Sequence, residues 1–241
     1  MIKYCFFDTE THDIENPRMI QLATSMYHDS KLMYQKERKF KPPVPITIGA
    51  MSVHHITQLD IEDAEPVSEQ TIVQLQDVCD QYIMIAHNLK FDTEVFKNEG
   101  ITVKSGICTL KVAMSLFPDL EQYKLQYLRY LFNVRDAEVR GMKAHDAMVD
   151  VMILEKVFFH LFNHLEMLHP DKSHAALFGI MEDITANPLL LHRILFGKYK
   201  GQTFEEIAAK DKDYLRWLRG SIRENPKPDP DLLHTVEHYA S

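Results

Sequence analysis

Ile2-Lys3-Tyr4-Cys5-Phe6-Phe7-Asp8-Thr9-Glu10-Thr11 decides how the chain is read. From Ile2 to Asp8, apolar residues occupy both parities, as in a central strand covered on its two faces. Such a strand brings Asp8 to its C-terminal end, where functional groups collect in open α/β sheets. Glu10 lies two residues on, so an extended backbone points it to the same side as Asp8.

The segments that follow build a sheet around this strand. Residues 20–27 and 31–40 read as two strands joined through His28-Asp29-Ser30 as a hairpin. Pro42, Pro43 and Pro45 then break the pattern, and a loop with short helical pieces follows. Residues 67–82 are helical, with Ile72, Leu75, Val78 and Cys79 on one face. Residues 83–86 form a short buried strand ending at His87 and Asn88. Asn88 is placed to cap a helix that carries Phe91, Asp92, Val95 and Phe96 and stops at Gly100. Residues 107–109 supply a last strand, two short helices follow, and a long helix runs from about Ala147 to about His164. Its apolar residues Val151, Leu154, Phe158 and Leu161 make a core-facing stripe.

Three short segments on this scaffold carry acids: Phe7-Asp8-Thr9-Glu10-Thr11, His87-Asn88-Leu89-Lys90-Phe91-Asp92 and His145-Asp146-Ala147-Met148-Val149-Asp150. Converging carboxylates repel one another unless cations lie between them, and hard oxygen ligands favour Mg²⁺ or Mn²⁺ over zinc. Two such ions about 3.5–4 Å apart form a clamp for in-line attack on phosphate. Singly, Asp8 could be a turn residue and Asp92 a first-turn acid favoured by the helix dipole. In order and together they point to a metal site.

The constellation resembles the DEDDh (DnaQ-like) 3′→5′ exonucleases. Asp8 and Glu10 match the first motif, Asp92 the second, and His145 with Asp150 the third; the histidine five residues before the last aspartate marks this branch. The resemblance implies a ribonuclease H-like α/β fold, a mixed five-stranded sheet flanked by helices. It implies Asp8, Glu10, Asp92 and Asp150 as ligands of two divalent ions, with Asp8 bridging them. His145 would be the general base that deprotonates the attacking water, and Asp146 would cap the next helix. Substrate contacts would come from Thr9, Thr11, Ile14, His54 and Asn88. One departure stands out: the glycine usual after Glu10-Thr11 is replaced by His12-Asp13.

Composition narrows the partners. The chain has 241 residues, a net charge of −8, 45% hydrophobic residues and three cysteines without a C-x-x-C pair. The charge argues against holding nucleic acid by bulk electrostatics, because counterion release needs cationic groups on several phosphates. So few cysteines suit a reducing cytoplasm, and no apolar run is long enough to span a bilayer. His160 and His164, four apart on a helix, read as a solvated face rather than a metal pair.

His169-Pro170-Asp171-Lys172 reads as a break after a catalytic domain spanning residues 1–168. Residues 169–188 read as a helical linker, and 189–241 as a small C-terminal α+β module resembling that of the exodeoxyribonuclease X branch. There Thr203 and Glu206 form a capping box. Across 189–223, eight basic residues face four acidic ones, a local charge of +4. Interleaved with Tyr199, Tyr214 and Trp217, they could hold a strand by phosphate contact and stacking; equally, the aromatics could be the module's own core. The function implied is a 3′→5′ exodeoxyribonuclease releasing nucleoside 5′-monophosphates from single-stranded or frayed DNA 3′ ends. A 3′→5′ exoribonuclease or oligoribonuclease, and an inactive nucleic-acid-binding adaptor, are the alternatives. Oligomeric state is open.

Overall fold

The computed structural model describes residues 1–134 and 146–240. Three strands, β1 (Lys3–Thr11), β2 (Met19–His28) and β3 (Lys31–Lys39), run antiparallel in succession. A short helix α1 (Ile48–His54) and a longer one, α2 (Glu69–Gln81), lead to β4 (Ile83–Ala86), which pairs parallel to β1. Helix α3 (Leu89–Asn98) then returns the chain to β5 (Gly106–Cys108), parallel to β4. The sheet order is β3-β2-β1-β4-β5. This is the mixed five-stranded, ribonuclease H-like sheet that the resemblance implies, with β1 at its centre.

Strand β1 is buried on both faces because its alternating side chains enter two different cores. Tyr4 and Phe6 pack with Ile85, Val151, Leu154 and Phe158 on one face. Cys5 and Phe7 pack with Met84, Cys79 and Phe96 on the other. The strand continues past Asp8 to Thr11, further than expected, while its pairing with β4 ends at Phe6 opposite Ile85. Beyond Phe6 the β4-facing edge is therefore open to side chains, and the ladder to β2 has an irregularity between Glu10 and Thr11.

Helices α4 (Thr109–Leu116) and α5 (Leu125–Leu131) follow β5, and α6 (Ala147–Leu168) covers the face of Tyr4 and Phe6. Helix α6 runs a turn beyond His164 because Leu165 is also in the core. His160 and His164 are not merely solvated. They lie against Phe132 and Phe117, at centroid distances of 3.9 and 4.6 Å.

Helix α7 (His174–Ala186) starts at a Ser173 cap and does more than link. Leu177, Phe178 and Met181 are buried among Tyr4, Phe158 and Phe162. Glu182 accepts a hydrogen bond from Ser105, and Thr185 Oγ1 accepts one from the Cys108 amide at 2.8 Å. We therefore propose that the catalytic unit extends to about residue 187. Each large apolar side chain contributes roughly 1.5–3 kcal/mol when buried, so losing three would approach the whole stability of a domain, about 5–15 kcal/mol. A chain cut after Leu168 is expected to aggregate. One cut after Asn187 should unfold cooperatively on heating, and equal solubility of the two would refute the boundary.

The remaining segment has a core of its own. A turn closed by the Arg193–Thr203 bridge precedes α8 (Phe204–Lys210), α9 (Lys212–Glu224) and α10 (Pro230–Ala240). Phe204, Ile207, Leu215, Leu218 and Val236 form its centre, and the Thr203–Glu206 capping box starts α8 as expected. The strand content expected of an α+β module is confined to that single bridge. Ion pairs tie the unit to the sheet domain: Arg193–Asp119 at 2.8 Å, Lys111–Asp231 at 3.0 Å and Lys227–Glu94 at 2.8 Å.

Candidate active site

Alternation along β1 places Asp8 and Glu10 on the side of Tyr4 and Phe6, facing α6. Helix α6 brings Asp150 there in its first turn. Carboxylate oxygens of Asp8, Glu10 and Asp150 lie within 4.8 Å of one another. Asp92 comes from the opposite side, on the first turns of α3, and fills the open edge of β1. Its Oδ1 accepts hydrogen bonds from Thr9 Oγ1 at 2.7 Å and from the Thr9 amide at 3.2 Å. The amide that β4 no longer pairs is thus taken by an acidic side chain.

Crowding has the electrostatic consequence expected of unneutralised acids. Burial, followed by Asp92, Glu10, Asp150 and Asp146, pushes the Asp8 carboxyl well above the usual range. Burial, then Asp150, Asp92 and Asp146, raises Glu10 to about 8. Asp92 is raised to about 7 by burial, against the pull of its Thr9 hydrogen bonds. Among the described residues, no lysine or arginine forms an ion pair with Asp8, Glu10 or Asp92. The donor set is all oxygen, closely spaced and short of positive charge, so it fits a hard divalent cation.

Glu10 titrates near 4.5 in an unfolded chain and about 8 when folded, so the cation-free native state retains a proton that the unfolded state releases between those values. Native stability must then decline as pH rises from about 4.5 to about 8. Divalent cations displace the protons, and their stabilising effect should grow over the same window. Thermal unfolding in EDTA and in Mn²⁺ across this range checks it. A cation effect that shrinks towards pH 8 would contradict it.

The loops place the other candidates differently. His54 is only 6% exposed; its Nδ1 accepts from the Ile56 amide at 3.0 Å, so its Nε2 donates to the Thr11 carbonyl at 3.2 Å. Thr11 Oγ1 donates to the Asp13 carbonyl at 2.8 Å. The missing glycine is compensated by His12, whose Nδ1 accepts from the Arg18 amide at 3.0 Å, and by Asn16, which takes the positive φ of 47°. Ile14 rides on this closed loop, 80% exposed. Asn88 is exposed and left-handed, with φ 66°, and its side chain makes no cap bond; the expected capping role is not the one it has. His87 is held neutral by burial, its pKa lowered to about 4, and donates to the Tyr123 carbonyl at 2.8 Å. Asp146 caps α6 by accepting from the Met148 and Val149 amides at 3.2 and 3.3 Å. His145 lies outside the described residues.

Two supports escaped the sequence reading. Gln126 on α5 donates to Asp150 Oδ1 at 2.9 Å, orienting that carboxylate. Gln21, opposite Glu10 in the β1–β2 register, accepts from the Ala147 amide at 3.5 Å and so ties β2 to the start of α6. Neither glutamine sits in a motif, and only register and packing reveal them.

The chain matches the Exonuclease family over residues 5–158, a span containing all four carboxylates. It belongs to the Exonuclease family. Residues 194–219 match the Exodeoxyribonuclease X-like C-terminal family. Exodeoxyribonuclease 10 of Escherichia coli (strain K12) is 27% identical over 239 residues, covering 96% of each chain. DNA polymerase III PolC-type of Caldanaerobacter subterraneus subsp. tengcongensis is 24% identical over 223 residues, 90% of this exonuclease chain but 15% of that protein. The fold is shared with exonuclease X in complex with 5′ overhanging duplex DNA, at a TM-score of 0.61 and 24% identity, over 77% of this chain and 99% of that one. Exonuclease I of E. coli in complex with a dA16 oligonucleotide shares it at a TM-score of 0.58 and 16% identity, over 75% and 43%. No helix among the described residues is long and apolar enough to cross a membrane.

Proposed function

We propose that this exonuclease is a 3′→5′ exodeoxyribonuclease, working with two Mg²⁺ or Mn²⁺ ions and releasing nucleoside 5′-monophosphates. The observation that carries the reading is the convergence of Asp8, Glu10 and Asp150 within 4.8 Å, with Asp92 held beside them by Thr9. Bound divalent ions would supply charge for the scissile phosphate and for the attacking water. Asp8, Glu10 and Asp150 would hold one ion, and Asp8 with Asp92 the other. Gln126 and Thr9 keep Asp150 and Asp92 in place, which limits reorganisation when the substrate arrives. His145, directly before the Asp146 cap, is assigned as the group that removes a proton from water.

Substrate contact is assigned to the exposed Ile14 and Asn88. The wedge role suits Ile14, an apolar side chain held out in solvent at the tip of the first-motif loop. Thr9, Thr11 and His54 have their polar groups engaged within the chain: Thr9 holds Asp92, while Thr11 and His54 shape that loop. DNA is preferred over RNA because the similarity to Exodeoxyribonuclease 10 extends through the C-terminal unit. Incubating the chain and Mn²⁺ with DNA and RNA oligonucleotides labelled at either end tests the reading. A ladder shortening from the 3′ end of DNA is expected. Internal cuts, or degradation from the 5′ end, would overturn it.

A further inference from the structure

The aromatic and basic residues of the C-terminal unit divide into two groups. Tyr199 is buried and donates its hydroxyl to Asp211 at 2.5 Å; Tyr214 packs edge-on against it at 4.9 Å. These two rings belong to the unit's own core. Trp217 does not, because it lies 63% exposed on the outer face of α9, its ring tilted over Tyr214 at 5.6 Å. A large aromatic ring held in solvent by a second ring beneath it is a preformed stacking surface.

Basic side chains lie along the same row of rings, with Lys198 and Lys210 over Tyr199 at 4.6 and 5.8 Å. Gly197 and Gly201, with φ of 65° and 87°, shape the tight turn that presents Lys198 and Lys200. Among the described residues, Lys200, Lys210 and Arg219 have no carboxylate partner. The eight basic and four acidic residues of 189–223 give +4, which leaves −12 for the rest of a chain of net −8. Positive charge is therefore concentrated here rather than spread over the surface.

Lys200 of this turn lines a cleft whose other wall includes Asn88, on the active-site side of the molecule. The cleft, of about 1070 Å³, separates the sheet domain from the C-terminal unit, with Asn88 and Lys124 on one wall and Lys200 and Gly201 on the other. Asn88 begins the helix that carries Asp92. A strand whose 3′ end reaches the carboxylates would have this cleft beside it and Lys200 on the far wall.

We propose that Trp217 and the basic turn beside it bind the single-stranded part of the substrate upstream of the 3′ end, Trp217 stacking on a base and Lys200 contacting phosphate. The occupant is nucleic acid because the patch pairs a flat ring with cations that have no carboxylate partner among the described residues, the combination that holds single strands without reading sequence. The inference rests on the reading of the chain as an exonuclease acting on DNA 3′ ends.

Trp217 is the only tryptophan in the chain, so its fluorescence reports on this face without labelling. In EDTA, a twelve-nucleotide single-stranded DNA should quench it and a dinucleotide should not. In Mn²⁺, Trp217→Ala should raise KM for the twelve-mer by about 5- to 150-fold, the span of one lost base stack. Its kcat/KM on a dinucleotide should be unchanged. Lys200→Ala should lessen the dependence of twelve-mer binding on log salt by about one unit of slope. Unchanged fluorescence when anisotropy of the labelled twelve-mer shows it bound would overturn the proposal. So would an equal loss on both substrates, or a self-association that Trp217→Ala abolishes without effect on DNA. If Trp217→Ala misfolds, the quenching in the unaltered chain and Trp217→Phe, which keeps a ring, still decide. Failure of the unaltered chain to cleave the dinucleotide or the twelve-mer in Mn²⁺ would count against the exonuclease reading instead, and quenching is read independently of it.

Discussion

Asp8→Ala will lower turnover by about 10³-fold or more, and excess chelator will do the same to the unaltered chain. If Asp8 holds the divalent ions as proposed, removing its carboxylate would forfeit several kcal/mol of charge stabilisation in the transition state, and each 1.36 kcal/mol is tenfold in rate. The fold should survive. Asp8 lies in a strand whose neighbours Phe7 and Thr9 are already buried and bonded, and alanine satisfies the same backbone. Its carboxyl is destabilised by burial and by four other acids, so in EDTA the variant should melt no lower than the parent. Loss of activity together with a retained melting temperature separates a cation-binding role from a structural one. Undiminished turnover in excess EDTA would sink the metal reading.

Asp8 and Glu10 were legible because strand alternation is a property of sequence. Once β1 is recognised, their shared face follows from a period of two. The same holds for Asp150, whose place on the core side of α6 follows from the apolar stripe of Val151, Leu154 and Phe158. What lies across elements was not legible. That Thr9 would hold Asp92 depends on β4 ending its pairing at Phe6, and that Gln126 would meet Asp150 depends on α5 packing against α6. His54 illustrates the limit from the other side, since its position in the loop was visible but its burial against the Thr11 carbonyl was not. The apolar residues of α7 were equally visible, yet periodicity does not say which body a helix joins. Leu177, Phe178 and Met181 join the sheet domain. Tyr199, Tyr214 and Trp217 look alike in sequence, and only packing divides two core rings from one exposed ring.

His145→Ala will lower kcat by about 10²- to 10⁴-fold with a smaller effect on KM, the range for loss of a positioned general base. The adjacent acid is the control that gives this test its meaning. Asp146 accepts from the Met148 and Val149 amides, so Asp146→Ala removes a helix cap and should cost about 1 kcal/mol of stability. Its effect on kcat should be small, because Asp150 is also held from α5 by Gln126 and from its own helix by the Asp146 backbone carbonyl, which alanine retains. The pH profile separates the two roles further. A histidine base loses function on protonation near pH 6.5, so with Mn²⁺ saturating at every pH, which keeps the carboxylates loaded, the parent rate should fall on the acid side while the residual rate of His145→Ala should not follow that limb. Equal losses in the two variants, with the acid limb intact in both, would move the decisive role from the imidazole to the start of α6. The carboxylate cluster would then remain the site, but its proton acceptor would have to be sought among other residues.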